Sequence, residues 1–258
     1  MPNPGTAITW TDGASTDWVV SAVGVVPGPN CGAGGGNCYR IGAGGPWTTG
    51  ANWSNTTGGA SCACTPAATD SAMFNSVPTG TTTLAAATTI ASIDMTGFTG
   101  TLDTVAGSNW ALTVNGLFNI QGTLLARNSV VTVTGQVAIL TAGTVVNLGG
   151  SMWTVGGGWT NASTSAAWVA GSSTVTITEA VSDTLIFAAL AGPTNEFNNL
   201  ILDTSAVGGL TYTMSTNPLY CGGLLTVRNS TGGATGNTVL TTSNLGVTTG
   251  GVTISANG

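Results

Sequence analysis

Short alternations of apolar and polar residues recur along most of the chain and predict β-strands. They are clear in ALTVNGLFNI and STVTITEA, for example at Leu112-Thr113-Val114 and Val175-Thr176-Ile177. A period of two is the signature of a strand with one buried face. Gly, Asn and Ser separate these runs, and no stretch keeps helical periodicity over three turns. The pattern therefore predicts an all-β protein.

A four-residue pattern, Thr-Val-x-Gly, recurs at near-constant spacing in the second part of the chain. Its valines, Val114, Val133 and Val155, are 19 and then 22 residues apart, and adding 20 residues predicts Val175 as the next member. A period near ~20 residues is typical of solenoids. We therefore expect a right-handed parallel β-helix (a β-solenoid), in which coils stack and equivalent positions align. An antiparallel β-sandwich is the alternative fold, because its strands recur every roughly 8–12 residues.

Composition divides the chain near residue 80. Residues 1–80 hold seven of the nine prolines, four of the eight tryptophans and four of the five cysteines. We expect this part to be an irregular, loop-rich β region or cap, and residues 81–258 to form the solenoid. The ending GGVTISANG resembles the middle of a coil, so we expect further coils or another subunit beyond Gly258. The tryptophans of the first part are expected to anchor its core: Trp10, Trp18, Trp47 and Trp53.

The charge content excludes several functions. Only 5% of the residues are charged, against roughly 25% in an ordinary soluble domain. The basic residues are Arg40, Arg127 and Arg228, and there is no Lys or His. Nucleic-acid binding needs a basic surface, so no nucleic-acid partner is expected. No apolar run approaches the ~18 residues of a membrane span, so no membrane insertion is expected either.

The cysteines predict disulfides. Cys31 and Cys38 bracket a Gly-rich loop and Cys62 and Cys64 form a C-x-C pair, so all four are candidate disulfide cysteines, of open connectivity. A metal site is the rival interpretation, but thiolate zinc sites favour C-x-x-C spacing, and we assign no metal and no cofactor. Cys221 is left unpaired, either buried or bonded to another chain.

Pairs of carboxylates keep a glycan-cleaving function open. Glycoside hydrolysis needs two carboxyl groups about 5–10 Å apart, and such pairs are expected more often to bond turns or to face solvent. A β-eliminating lyase would need a Lys, Arg or His base, and the chain has no Lys or His and only isolated arginines. We therefore expect no enzyme and assign no catalytic residue. The candidate pairs are Glu179 with Asp183, Glu196 with Asp203, and Asp94 with Asp103.

Several segments together resemble a known class of repeat protein. They are Asn52-Trp53-Ser54 followed by Pro66, Asp70 and Phe74, then TTIASIDMTGFTGTL, LTVNGLFNIQGTL, FNNLILDTSAVGGLTYTM and GGLLTVRN. They are similar to the Gly/Thr-rich β-helix repeats of bacterial surface and autotransporter-like proteins and of phage fibre or appendage proteins. The resemblance covers most of the chain from about residue 50, and it implies a fibrous or adhesive surface role.

These features together predict a non-enzymatic structural subunit of an extracellular fibre, filament or virion surface appendage, located outside the cell, on the cell surface or on a virion. Its expected partners are copies of itself and surface glycans. One alternative is a glycan-binding adhesin, and another is a polysaccharide-cleaving β-helix tailspike. The candidate glycan contacts are aromatic residues that we expect to be exposed: Trp110, Trp153, Trp159 and Trp168.

Overall fold

The computed structural model describes residues 30–74, 79–105, 107–190, 194–204, 209–230 and 237–255, and these form 23 strands and one short 3-10 helix, Gly50–Asn52. In chain order the strands are β1 (Asn37–Arg40), β2 (Gly45–Pro46), β3 (Trp53–Ser54), β4 (Ser71–Met73), β5 (Thr81–Thr83), β6 (Thr88–Ile90), β7 (Ser92–Asp94), β8 (Thr101–Asp103), β9 (Leu112–Val114), β10 (Phe118–Ile120), β11 (Thr123–Leu125), β12 (Val130–Val133), β13 (Val137–Ile139), β14 (Val145–Asn147), β15 (Met152–Val155), β16 (Trp159–Asn161), β17 (Thr174–Glu179), β18 (Asp183–Ile186), β19 (Asn199–Thr204), β20 (Leu210–Ser215), β21 (Leu219–Asn229), β22 (Thr238–Thr241) and β23 (Val247–Ser255).

The strands build a parallel β-solenoid of about seven turns. The first sheet has the order β22-β20-β18-β16-β13-β10-β7-β4-β1-β3, the second β14-β11-β8-β5-β2, and the third β23-β21-β19-β17-β15-β12-β9-β6. Within the described ranges, the pairing of β1 with β3 is the one antiparallel pair. The predicted solenoid is therefore confirmed, and the antiparallel sandwich is wrong. No described segment is a helix long and apolar enough to cross a membrane.

The coils change shape along the stack. From β5 to β14 each coil visits all three sheets in turn. The second sheet ends at β14, and among the described residues a single bridge from Asn147 to Val169 continues it. From β17 onward the chain alternates between the first and third sheets. Strands also lengthen, from three residues in β9 to six in β17 and eleven in β21.

The Thr-Val-x-Gly repeat is a true stacking register. Val133 pairs with Val114 below and Val155 above, and Val155 then pairs with Ile177. The predicted next member, Val175, instead stacks on Trp153, two residues earlier in the strand. The assumed spacing of 20 residues was too short because the coil between β15 and β17 keeps the 22-residue length of the coil before it.

Threonine fills the outward face between these buried valines. In the third sheet one outward position holds threonine in five successive coils, each partly buried or exposed: Thr89, Thr113, Thr132, Thr154 and Thr176. A β-branched side chain suits an exposed, pleated strand face. The hydroxyl-rich composition is therefore explained by outward positions, whereas Val, Leu, Ile and aromatic residues fill the interior.

Aromatic side chains in the interior contact one another. Near the first coils, Trp47 and Trp53 lie edge to face with ring centroids 5.0 Å apart, and Phe74 contacts both. The guanidinium of the buried Arg40 lies 5.4 Å from the Trp53 ring centroid, and burial lowers the pKa of Arg40 to about 10. Such pairs add to the energy of burial. The expectation of core anchors is confirmed for Trp47 and Trp53, while Trp10 and Trp18 lie outside the described residues.

The described part of residues 1–80 joins the same sheets as the coils that follow. β1 pairs with β4, and β4 pairs with β7, all in parallel register. β2 likewise pairs with β5 at the start of the second sheet. Loops nevertheless dominate this part, and they carry Cys31, Cys62 and Cys64, whereas Cys38 lies in β1.

Candidate functional site

The four candidate disulfide cysteines form two disulfides. Cys31 bonds to Cys38, with Cα atoms 4.8 Å apart, and Cys62 bonds to Cys64, with Cα atoms 5.1 Å apart. Cys31 and Cys38 are buried, whereas Cys62 and Cys64 are partly buried. Each cysteine is bonded to the cysteine nearest to it in the sequence, a connectivity that residue spacing alone left open.

The two disulfides lie against each other. The sulfur atoms of Cys31, Cys62 and Cys64 all lie within 4.8 Å of one another, and so do the ligand atoms of Cys31, Cys38 and Asp70. Gly32 allows this approach, because a Cβ atom there would lie 3.2 Å from Cβ of Cys64 and its φ of 82° favours glycine. Cys31 is therefore the centre of a single cluster of four sulfur atoms and one carboxylate.

Asp70 organises the loop that carries Cys31 and Cys38. Its Oδ1 accepts the backbone N–H of Gly36 at 2.8 Å, and its Oδ2 accepts those of Gly32 at 2.7 Å and Ala67 at 2.8 Å. The residue is fully buried. A carboxylate that accepts three backbone donors fixes the loop without using a cation.

Cys221 is the free cysteine of the described residues. It is 1% exposed, and its Sγ donates a hydrogen bond of 3.0 Å to the carbonyl of Asn198. Burial raises the pKa of this thiol, which keeps it protonated and unreactive at neutral pH. Of the two predicted roles, the buried free thiol is the one that fits, because a bond to another chain needs an accessible sulfur.

The predicted exposure of the four glycan-contact tryptophans is wrong for three of them. Trp153, Trp159 and Trp168 are at most 3% exposed, and Trp110 is partly buried against the core. The indole N–H of Trp153 donates to Ser151 Oγ at 2.7 Å, and that of Trp168 to the carbonyl of Glu196 at 2.9 Å. Trp153 and Trp159 face inward because they share a strand face with buried valines, Val155 and Val137 respectively. All three buried rings offer no stacking surface to a sugar.

The structure brings together one of the three candidate carboxylate pairs, Glu179 with Asp183. Glu179 ends β17 and Asp183 begins β18, so a short turn joins them. Burial, followed by the charge of Asp183 and a hydrogen bond with it, raises the pKa of Glu179 to about 8. Glu179 is therefore protonated at neutral pH, as a general acid must be. However, only 2% of it is exposed, so a glycan cannot reach it in this conformation.

In the other two candidate pairs the carboxylates bind other partners. Asp103 binds Arg127 through both oxygens, at 2.9 and 2.8 Å, and this ion pair and its hydrogen bonds lower the pKa of Asp103. Asp94 lies in a different sheet and accepts from Thr96. Asp203 accepts from Arg228 at 2.8 Å. Neither Asp94 with Asp103 nor Glu196 with Asp203 forms a catalytic dyad.

Glu196 occupies a polar site inside the solenoid that the sequence did not indicate. Its Oε1 accepts hydrogen bonds from Nε1 of Trp159 at 2.8 Å and Nδ2 of Asn161 at 2.7 Å. Its Oε2 accepts the backbone N–H of Ala188 at 2.8 Å. Desolvation outweighs these three donors and raises the pKa of Glu196 to about 7. Glu196 is therefore a buried carboxyl group that binds a proton near neutral pH and is fixed by hydrogen bonds within the core.

The end of the third sheet presents an apolar surface. β23 pairs with β21 in parallel, so that Val252 aligns with Leu225 and Ile254 with Val227. Leu225 and Val227 are 2% and 7% exposed, whereas Val252 and Ile254 are 57% and 77% exposed. The last two therefore stand at interior positions of a coil that no described residue covers.

Comparisons with known proteins assign no family. No protein-family model matches the chain, no curated protein matches its sequence, and no solved structure matches its fold. The function must therefore be argued from the molecule itself.

Proposed function

We propose that the chain is a non-enzymatic structural subunit of an extracellular fibre, filament or virion surface appendage, and that its copies stack coil upon coil. The observation that carries this proposal is the surface of β23, where Val252 and Ile254 occupy interior positions and are exposed. A solenoid gains stability from each neighbouring coil. The coil of β23, which no described residue covers, presents apolar side chains and a strand edge that no described strand pairs with. Such an edge pairs readily with another strand.

The surface chemistry supports a location outside the cell. Two disulfides persist best in an oxidising compartment. A face of threonine hydroxyls with few charges tolerates wide changes in ionic strength, because there are few surface ion pairs for salt to screen. The resemblance to β-helix repeats of surface and fibre proteins points the same way.

The experiment compares assembly of the wild-type chain with that of a double variant, Val252→Lys/Ile254→Lys. Charges at interior positions of the uncovered coil prevent a further coil from stacking, so the variant should remain monomeric in analytical ultracentrifugation. The wild-type chain should form larger species as its concentration rises, and electron microscopy should show rods. Val181→Lys is the control, because Val181 is 69% exposed but lies in the turn between β17 and β18.

Two results would contradict the proposal. One is a wild-type chain that stays monomeric at every concentration. The other is a double variant that assembles as well as Val181→Lys does, since assembly would then not use the surface of β23.

A further inference from the structure

We propose that the cluster of Cys31, Cys38, Cys62 and Cys64 is a thiolate metal site, which takes one Zn²⁺ when its two disulfides are reduced. The disulfide-bonded and metal-bound forms are alternative states of the same four sulfur atoms. This proposal is independent of the assembly proposed above.

The distances suit a single ion. A Zn–S bond is about 2.3 Å long, so two sulfur ligands of a tetrahedral ion lie about 3.8 Å apart. The sulfur atoms of Cys31, Cys62 and Cys64 already lie within 4.8 Å of one another. Reduction frees Cys62 from Cys64, and rotation of their side chains then spaces the three sulfur atoms around one ion. Reduction also releases Cys38 from Cys31; its sulfur lies in the second group, with Cys31 and Asp70, and rotates toward the ion to become the fourth ligand.

The ligand types select the metal. Thiolates are soft ligands, and four of them favour Zn²⁺ over hard ions such as Mg²⁺ or Ca²⁺. Asp70 stands next to the cluster, with an oxygen 3.5 Å from Sγ of Cys38. Because its oxygens already accept three backbone N–H groups, Asp70 orients the loop and the sulfur atoms provide the ligands.

The loops keep their places without the disulfides. The bonds from Gly32 and Gly36 to Asp70 hold the first loop, and the backbone N–H of Gly35 donates to the carbonyl of Thr69 at 3.1 Å. The backbone N–H of Cys62 donates to the carbonyl of Trp53 at 2.9 Å and fixes the second loop. The fold thus brings together four potential sulfur ligands, although the C-x-C spacing alone did not predict a metal site.

A phosphine reduces both disulfides. Each disulfide accepts two electrons and two protons to give two thiols, and the phosphine becomes a phosphine oxide with oxygen from water. Each thiol that binds the ion then releases its proton to solvent, so metal binding strengthens as the pH rises.

The experiment uses Co²⁺ as a spectroscopic probe on the purified full chain, before and after reduction with a phosphine. We expect the reduced chain to bind one Co²⁺ with sulfur-to-metal charge-transfer absorption and the visible bands of a tetrahedral ion, and Zn²⁺ to displace it. The chain with intact disulfides should give neither band. Circular dichroism recorded in parallel reports whether the reduced chain keeps its β-structure.

Three variants locate the site. Cys31→Ser removes the sulfur shared by both groups, and Cys64→Ser removes a partly exposed one without opening the core. Each should weaken Co²⁺ binding by about tenfold or more. Cys221→Ala is the matched control, because Cys221 belongs to neither group of ligand atoms, and it should bind Co²⁺ as the wild type does.

The proposal is overturned if the reduced wild-type chain shows no tetrahedral Co²⁺ spectrum, or if reduction abolishes its β-structure. It is equally overturned if Cys31→Ser and Cys64→Ser both bind Co²⁺ as tightly as Cys221→Ala does.

Discussion

Nε1 of Trp159 donates a 2.8 Å hydrogen bond to Oε1 of Glu196, across 37 residues of sequence and inside the solenoid core. Asn161 and Ala188 complete the set of donors around this carboxyl group. No described cation lies among its hydrogen-bond partners. The interior therefore holds a carboxyl group whose protonated form is favoured by burial.

The first prediction is that the protein is most stable in mild acid. The folded pKa of Glu196, about 7, lies above the ordinary glutamate pKa of 4.5, so the folded state binds the proton more tightly than the unfolded state does. The contribution is complete below pH 4.5 and is lost as the pH rises through 7. We expect the contribution of Glu196 to the free energy of unfolding to fall by roughly 3 kcal/mol over this range, measured as the difference between the wild type and Glu196→Gln in denaturant titration with tryptophan fluorescence.

The variant Glu196→Gln separates this contribution from others. Glutamine does not titrate, so about half of the slope between pH 4.5 and 7 should disappear, because Glu179 binds its own extra proton over the same range. A constant loss of stability is expected too, because the NH₂ group of the glutamine faces a backbone donor. The slope that remains should extend to about pH 8, where Glu179 titrates, and should vanish in Glu179→Gln/Glu196→Gln. An unchanged slope in Glu196→Gln would show that its carboxyl group does not bind this proton.

The sequence predicted the stacking register but not what the interior contains. Val114, Val133 and Val155 align as their repeat indicated, because parallel coils place equivalent residues on one another. The burial of Trp153 could have been inferred too, since it lies two residues before Val155 and shares its strand face.

Other contacts could not be predicted from the sequence, because they join residues that are far apart along the chain. Glu196 meets Trp159 and Asn161 only after the coils have changed length and lost the second sheet. No periodic pattern marks these residues as neighbours. Likewise, Cys31 and Cys64 approach each other because the loop at Gly32 turns with a positive φ, and residue spacing does not encode that turn.

The second prediction concerns a corner where three residues with positive φ stack: Arg127 at 56°, Gly149 at 57° and Gly171 at 62°. A Cβ atom on Gly171 would overlap the carbonyl oxygen of Gly149, which accepts the N–H of Ser172 at 2.7 Å. We expect Gly171→Ala to lower the free energy of unfolding by about 1–3 kcal/mol, measured by denaturant titration.

Two control glycines separate the contribution of backbone strain to this loss of stability from that of steric overlap between coils. Gly97 has a φ of 80° but open space around its would-be Cβ, so Gly97→Ala reports backbone strain alone. Gly143 has open space and no positive φ, so Gly143→Ala should change stability little. If Gly171→Ala costs no more than Gly97→Ala, overlap between coils does not limit this corner.

The third prediction is that Asp70 holds the cysteine loop through its charge and its two acceptor oxygens. Asp70→Asn keeps the size of the side chain but replaces one oxygen with an NH₂ group. That group would face the N–H of Gly36, or those of Gly32 and Ala67, depending on its orientation. A buried donor then loses its acceptor, so we expect a loss of about 1–3 kcal/mol in denaturant titration.

Asp94→Asn provides the comparison for Asp70→Asn. Asp94 accepts from the backbone and hydroxyl of Thr96 within its own turn, and those contacts are exposed, so water can replace them. We expect Asp94→Asn to cost clearly less than Asp70→Asn. Limited proteolysis should also cut the loop between Cys31 and Cys38 faster in Asp70→Asn after reduction, because the disulfide no longer constrains it. Equal stability losses and equal cleavage rates in the two variants would mean that the disulfides and the parallel pairing of β1 with β4, rather than Asp70, position this loop.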